Sequence, residues 1–188
     1  MGAGILPTTI YNGKLYFLFG KENKYADSPG WSDFGGGTDN DETFMETALR
    51  EGSEELIGFL GDKPEIKKLL SKGTFIVQND DRYRMFLFAL PYDSHLPFYY
   101  NNHYRFLEKK LDESLLKTSK IFEKSEIKWV CIDDLIKMKN KFRSFFKKKI
   151  YILLNKKREI YNFVKKKLYI TRRRFPSTRF SKTRKNKY

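Results

Sequence analysis

The chain has 188 residues, of which 40% are hydrophobic, 16% aromatic and 32% charged. That apolar content supports one hydrophobic core and excludes a wholly disordered chain. The single cysteine, Cys131, excludes an internal disulfide, and with only His95 and His103 as further soft ligands no zinc finger can be assembled. The net charge of +15 is unevenly spread. Residues 1–140 carry 19 Lys+Arg against 22 Asp+Glu, whereas residues 141–188 carry 19 Lys+Arg against one acid, Glu159. An AT-rich gene explains a preference for lysine, but not the near disappearance of acids after 140 or the run Arg172-Arg173-Arg174. The basic quarter is therefore read as a polyanion-binding element, with nucleic acid (RNA) as the first expected partner and an anionic membrane surface as the second.

The start, Met1-Gly2-Ala3-Gly4-Ile5-Leu6, lacks the basic region and apolar run of a signal peptide, and Leu6 breaks a myristoylation pattern. No run of about 18 apolar residues exists to form a membrane span. A cytoplasmic location is the expectation.

In chain order, residues 3–10 and 14–20 are apolar and β-prone, and Asn12-Gly13 between them predicts a tight hairpin. Residues 21–34 read as a loop, and Gly35-Gly36-Gly37 as a backbone too flexible for a regular element. Thr43 is placed to cap a helix running to Leu56 or Ile57, with Phe44, Ala48 and Leu56 on its buried side. Asp62-Lys63-Pro64 predicts a break, followed by a short helix over 65–70. Residues 74–78 and 83–90 predict a second hairpin turning at Asn79-Asp80-Asp81. Residues 91–120 look irregular, with a helix near 103–111 and an aromatic patch, Phe98-Tyr99-Tyr100, packed on the core. A strand is predicted over 126–132, containing a core Trp129 and a buried Cys131, then a short helix capped by Asp133. From Phe142, apolar residues at 142, 145, 146, 150, 153, 154, 160, 161, 164 and 168 follow helical spacing, with lysines on the other faces. After Arg172, Pro176 and the Ser/Thr/Lys/Arg mixture predict a disordered end. Hairpins mixed with helices give an α/β (α+β) class with a mixed sheet. The expected division is a domain over 1–155 and a basic helical extension with its tail over 156–188.

The chemistry is concentrated in 36–58. Glu51, Glu54 and Glu55 lie at i, i+3 and i+4 of the predicted helix, which places three carboxylates on one face. Like charges so close need a neutralising partner. Arg50 is one, four residues before Glu54, and a hard divalent cation is the better one, because Mg²⁺ favours carboxylate oxygens, waters and substrate phosphates. Glycines ahead of the helix let backbone approach metal or phosphate, so the pattern suits a metal–polyphosphate complex. A solvated acidic face explains two acids at helical spacing, but not four acids and an arginine at these offsets behind a triple glycine.

Gly36, Glu42, Arg50, Glu51, Glu54 and Glu55 match the pattern G-x5-E-x7-R-E-U-x-E-E-x-G-U, where U is a bulky aliphatic, and the chain thereby resembles the Nudix hydrolase family. Three positions depart from it: Gly52 replaces the aliphatic, Ile57 stands where glycine belongs with Gly58 one place later, and the last aliphatic shifts to Phe59. The early hairpin, Trp31 and the segment from Glu126 to Leu135 extend the resemblance over about 3–150. It implies an α/β/α sandwich and cleavage of a nucleoside diphosphate linked to a moiety X, with Mg²⁺ or Mn²⁺ as cofactor. It further implies Glu51, Glu54 and Glu55 as metal ligands, one of which deprotonates the attacking water. Arg50 would orient the carboxylates, Gly35, Gly36 and Gly37 would contact metal or phosphate, and Glu42 and Gly58 would shape the loop–helix–loop. A carboxylate outside the motif often joins in such enzymes, and Glu126 and Glu123 are the candidates. The AT-rich composition and compact plan are also similar to Nudix proteins of large DNA viruses, some of which remove mRNA caps. Capped or 5′-phosphorylated RNA is thus the expected substrate, with a small nucleotide of the dinucleoside polyphosphate or ADP-ribose type as the alternative. A non-catalytic RNA-binding module is the reading from another class.

Overall fold

The computed structural model describes residues 1–80, 82–118 and 123–174. The sequence folds around a mixed sheet of seven strands: β1 (Gly2–Tyr11), β2 (Lys14–Glu22), β3 (Trp31–Ser32), β4 (Phe34–Gly37), β5 (Phe75–Asp80), β6 (Tyr83–Ala89) and β7 (Lys124–Cys131). β1 is its spine. Its first half pairs antiparallel with β4, its second half antiparallel with β2, and its other edge runs parallel to β6. β5 closes one side against β6, and β7 pairs with β2.

Strand alternation sorts the side chains into two cores. Ala3, Ile5, Leu18, Phe86, Phe88, Ile127 and Trp129 face a layer built by α1 (Phe44–Glu55), α2 (Lys63–Ser71) and α3 (His95–Lys110). Leu6, Phe17, Phe19, Met85, Leu87 and Val130 face α5 (Lys147–Asn155) and α6 (Lys157–Arg174). A short α4 (Glu113–Thr118) precedes β7. The result is the α/β/α sandwich expected from the sequence.

The first hairpin turns at Asn12 and Gly13, both with positive φ, as an Asn-Gly turn requires. Thr43 caps α1 in a reciprocal box with Glu46, and Asp62 caps α2 in the same way with Glu65. Four expectations are corrected. Gly35–Gly37 is strand, not loop, because pairing with β1 fixes it. A Cβ at Gly35 would lie 2.4 Å from the Gly4 Cα, so the glycines serve close approach rather than flexibility. The stretch around 95–110 is one long helix, held by buried Tyr100 and Tyr104 one turn apart. Asp133 sits inside a short 3₁₀ turn (Ile132–Asp134) instead of capping a helix, and pairs with Lys14 and Lys157. The helix expected from Phe142 starts at Lys147, because Phe142 bridges to Trp31 and residues 144–146 form a 3₁₀ turn.

The helical chain bends at Lys156, but α6 does not leave the domain. Ile160 and Val164 are fully buried in the core beneath the sheet, and each such burial contributes about 2 kcal/mol. The extension expected to begin at 156 is therefore anchored through its first half, and Lys157, Lys165 and Lys166, on either side of the buried positions, are exposed. The disordered end expected after Arg172 is corrected at 173–174, where α6 continues, and its remainder, residues 175–188, lies outside the described residues, as does Asp81 of the second turn.

Candidate metal and substrate site

α1 lies across the sheet with its acidic stripe beside β4. The glycines of β4 make this approach possible: a Cβ at Gly36 would stand 2.5 Å from a carboxylate oxygen of Glu51. The Gly35 amide donates to Glu55 Oε2 at 2.9 Å. Arg50 locks the other end of the motif. Its Nε and Nη2 fork onto the two oxygens of Glu42 at 2.8 and 3.0 Å, Nη2 also donates to the Gly37 carbonyl at 2.9 Å, and Nη1 donates to Glu51 at 2.8 Å. The Arg50 guanidinium holds the Glu42 carboxyl down at about 2, well below its ordinary range. Glu42 thus works on the helix through Arg50 and through Thr47, whose hydroxyl donates to it at 3.1 Å.

Glu51 and Glu55, four residues apart, converge with Glu123 from the chain just before β7. One carboxylate oxygen of each lies within 4.8 Å of the other two. Burial raises the pKa of Glu51, and it pushes that of Glu55 well up, since Glu55 is almost completely enclosed. Arg50 pairs with Glu51 and Lys124 with Glu55, and the oxygen-only donors that converge here suit a hard divalent ion. The donor set therefore fits Mg²⁺ or Mn²⁺.

Glu54 does not join that trio. It is 41% exposed and lies 3.5 Å from Arg50 Nη1. Glu126 is also outside it: it pairs with Lys21 and shares strand parity with Val130, which places it on the sheet face away from α1. Gly58 has φ +79° and ends the turn after the helix, while Ile57 takes φ +43°, a region costly for a β-branched residue. The departure at Gly52 also has a physical reason. A Cβ there would meet Ile5 Cδ1 at 2.4 Å, so Ile5 of β1 occupies the space that an aliphatic side chain on α1 would fill.

Sequence reading missed the polar network beneath the site. Lys124 is completely buried, bonds Glu22, and lies 3.0 Å from Glu55. Burial opposes its charge, but Glu55 and Glu22 outweigh this and raise its pKa. Arg143 reaches Glu22 at 2.7 Å, and the Tyr100 hydroxyl donates to the carbonyls of Glu55 and Lys124. No local pattern marks Glu22 or Lys124; they meet because β2 and β7 pair them across 102 residues.

Glu51, Glu55 and Glu123 thus meet beside the glycine strand of an α/β/α sandwich. The family model for the NUDIX domain matches residues 3–153, and the chain belongs to that family. A 56-residue stretch is 48% identical to uncharacterized protein L534 of Acanthamoeba polyphaga mimivirus, covering 28% of this chain and only 18% of that protein. Among solved structures, the chain is similar to the bifunctional NMN adenylyltransferase/ADP ribose pyrophosphatase of Francisella tularensis, complexed with AMP and a Mn ion. That match has 17% identity and TM-score 0.50 over 82% of this chain and 40% of that one. A C. elegans Ap4A hydrolase binary complex matches at 18% identity and TM-score 0.41 over 72% of this chain and 82% of that one. No described helix is long and apolar enough to cross a membrane.

Proposed function

We propose that this enzyme hydrolyses a pyrophosphate linkage in a nucleoside diphosphate–X substrate with a divalent cation held by Glu51, Glu55 and Glu123. The convergence of those three carboxylates on the glycine strand carries the proposal. A cation bound there lowers the pKa of water and stabilises charge on the bridging phosphates. Around it, Gly35 fixes one oxygen of Glu55, and Arg50 fixes Glu51. Glu54, the most exposed acid of the motif, faces water and takes the proton of the attacking water, whereas Glu126, on the far face of the sheet, is not placed to do so. Gly36 and Gly37 leave room for substrate phosphates at the open end of β4, where a Cβ on Gly37 would meet nothing. Product analysis with Mg²⁺ or Mn²⁺ on capped RNA, dinucleoside polyphosphates, nucleotide sugars and nucleoside triphosphates tests this. Glu51→Gln and Glu55→Gln should each lower turnover by about 100-fold or more while the fold is kept. Full activity in either variant, or no activity of the parent on any substrate, overturns the proposal.

Among substrates, capped or 5′-triphosphorylated RNA is favoured by the charge of residues 141–188. Lys148, Arg158, Lys165 and Lys166 are exposed on α5 and α6, on the side turned away from the buried Ile150, Leu153, Ile160 and Val164. The small-nucleotide alternative is supported by the likeness in fold to the bifunctional NMN adenylyltransferase/ADP ribose pyrophosphatase. Neutralising Lys165, Lys166 and the eight basic residues of 171–188 should weaken RNA binding and flatten its salt dependence, by about 0.7 log units for each phosphate that is no longer neutralised. Unchanged affinity and slope refute an RNA role for this segment, and selective binding to anionic vesicles assigns it to a membrane surface.

A further inference from the structure

Where the first turn of α1 meets the starts of β1 and β6 lies a cleft of about 460 Å³, whose walls include Met1, Thr38, Phe44, Met45, Arg84 and Phe86. Arg84 shares strand parity with Phe86 and Phe88, so it stands on the sheet face that carries α1 and the carboxylate trio. Its guanidinium carbon sits 4.4 Å from the centre of the Phe44 ring, which holds the group in place without neutralising it. Among the described residues, no acceptor meets its side chain, and its Nε is buried and unbonded. The Thr38 hydroxyl, in the same lining, is buried and unbonded as well. The acid of this lining, Glu42, has both oxygens held by Arg50 and leaves nothing for Arg84. Buried polar groups are normally bonded, so two orphans in one cleft mark a place for an acceptor from outside the chain.

The end of β4 joins this cleft to the trio. A Cβ at Gly36 would touch Glu51, and Thr38, two residues on, lines the cleft, an advance of about 7 Å in extended chain. Gly37 lies between them, and a Cβ there would meet nothing. A sugar whose phosphate is held at the carboxylates can therefore cross Gly37 and set its base in the cleft. Walls of methionine and phenylalanine suit a flat heteroaromatic ring, whereas a further phosphate would lose its water there to a single cation. The fork of an arginine offers parallel donors. Guanine answers them with two acceptors, O6 and N7, whereas adenine places an amino donor where O6 would be. We infer that the cleft takes the base of the substrate and that Arg84 makes the enzyme select guanine over adenine. This rests on the hydrolase reading above and names the base that the substrate carries.

The test uses the full chain and two variants: Arg84→Met, which keeps an apolar stem over Phe44, and Arg84→Lys, which keeps the charge without the planar fork. Binding of GMP, AMP and 7-methyl-GMP is measured by calorimetry with Mn²⁺, and kcat and KM are measured on diguanosine and diadenosine tetraphosphate. The parent should bind GMP about tenfold more tightly than AMP. 7-Methyl-GMP, whose N7 is blocked and whose ring is positively charged, should bind no better than AMP. Each variant should bring GMP to the AMP level, change AMP by less than about twofold, and raise KM for diguanosine tetraphosphate about tenfold with kcat little changed. Equal binding of GMP and AMP by the parent, a guanine preference that survives either variant, or equal losses for the two bases overturns the inference, whether or not the dinucleotides are hydrolysed. If neither dinucleotide is turned over while GMP binding exceeds AMP binding and depends on Arg84, the hydrolase reading fails and the base cleft stands.

Discussion

Lys124→Met removes the buried cation that joins two layers of the site. Lys124 and Glu55 are both essentially enclosed and 3.0 Å apart, and Glu22 bonds the same ammonium. Glu22 keeps a partner in Arg143 at 2.7 Å, whereas Glu55 retains only the Gly35 amide at 2.9 Å. One orphaned carboxylate is therefore expected, not two. Breaking a buried pair by deleting one member costs about 3–5 kcal/mol, and methionine recovers a little through packing. For a chain of this size about 4 kcal/mol lowers the melting temperature by roughly 8–16 °C. Urea denaturation and thermal melts of both proteins measure the loss. Adding Glu55→Gln to Lys124→Met should return much of the stability, because the stranded charge disappears. Mn²⁺ or Mg²⁺ should stabilise Lys124→Met more than the parent, since a cation at Glu51, Glu55 and Glu123 substitutes for the missing ammonium. A loss below about 1 kcal/mol, or a double variant no better than the single one, refutes the view that Lys124 neutralises Glu55.

Gly52→Leu restores the aliphatic residue of the family pattern, yet should destabilise the fold by about 1–3 kcal/mol, because its Cβ collides with Ile5; adding Ile5→Ala should relieve the clash, and denaturation midpoints decide it. Glu42, held at about 2 in the folded protein against 4.5 ordinarily, contributes stability that is present above pH 4.5 and lost as pH falls toward 2. The stability gap between the parent and Glu42→Gln should therefore close over that window, and a gap independent of pH there contradicts the Arg50 pairing. Glu123→Gln should weaken Mn²⁺ binding by about tenfold or more, as read by electron paramagnetic resonance, whereas Glu126→Gln should leave it unchanged.

The motif residues were legible because their chemistry is local. Helical spacing alone places Glu51 and Glu55 on one stripe, and Thr43 marks where that helix begins. Asn12-Gly13 fixes the first hairpin for an equally local reason, the positive φ both positions adopt. Which carboxylates converge was not local. Glu54 belongs to the motif but turns to Arg50, while Glu123 arrives from the start of β7, and only strand pairing separates it from Glu126 three residues on. The glycines misled for a related reason: flexibility in isolation becomes a paired strand once β1 and Glu51 need the space where side chains would stand. The burial of Lys124 between Glu22 and Glu55, and the meeting of Phe44 with Arg84 in one cleft, follow from the packing of residues far apart in the chain. Sequence therefore determined the acidic helix, which depends on backbone periodicity, and the family, which the spaced motif of residues 36–58 carries. The tertiary fold decided which carboxylates converge and the charge around them, since these depend on which distant segments the sheet brings together.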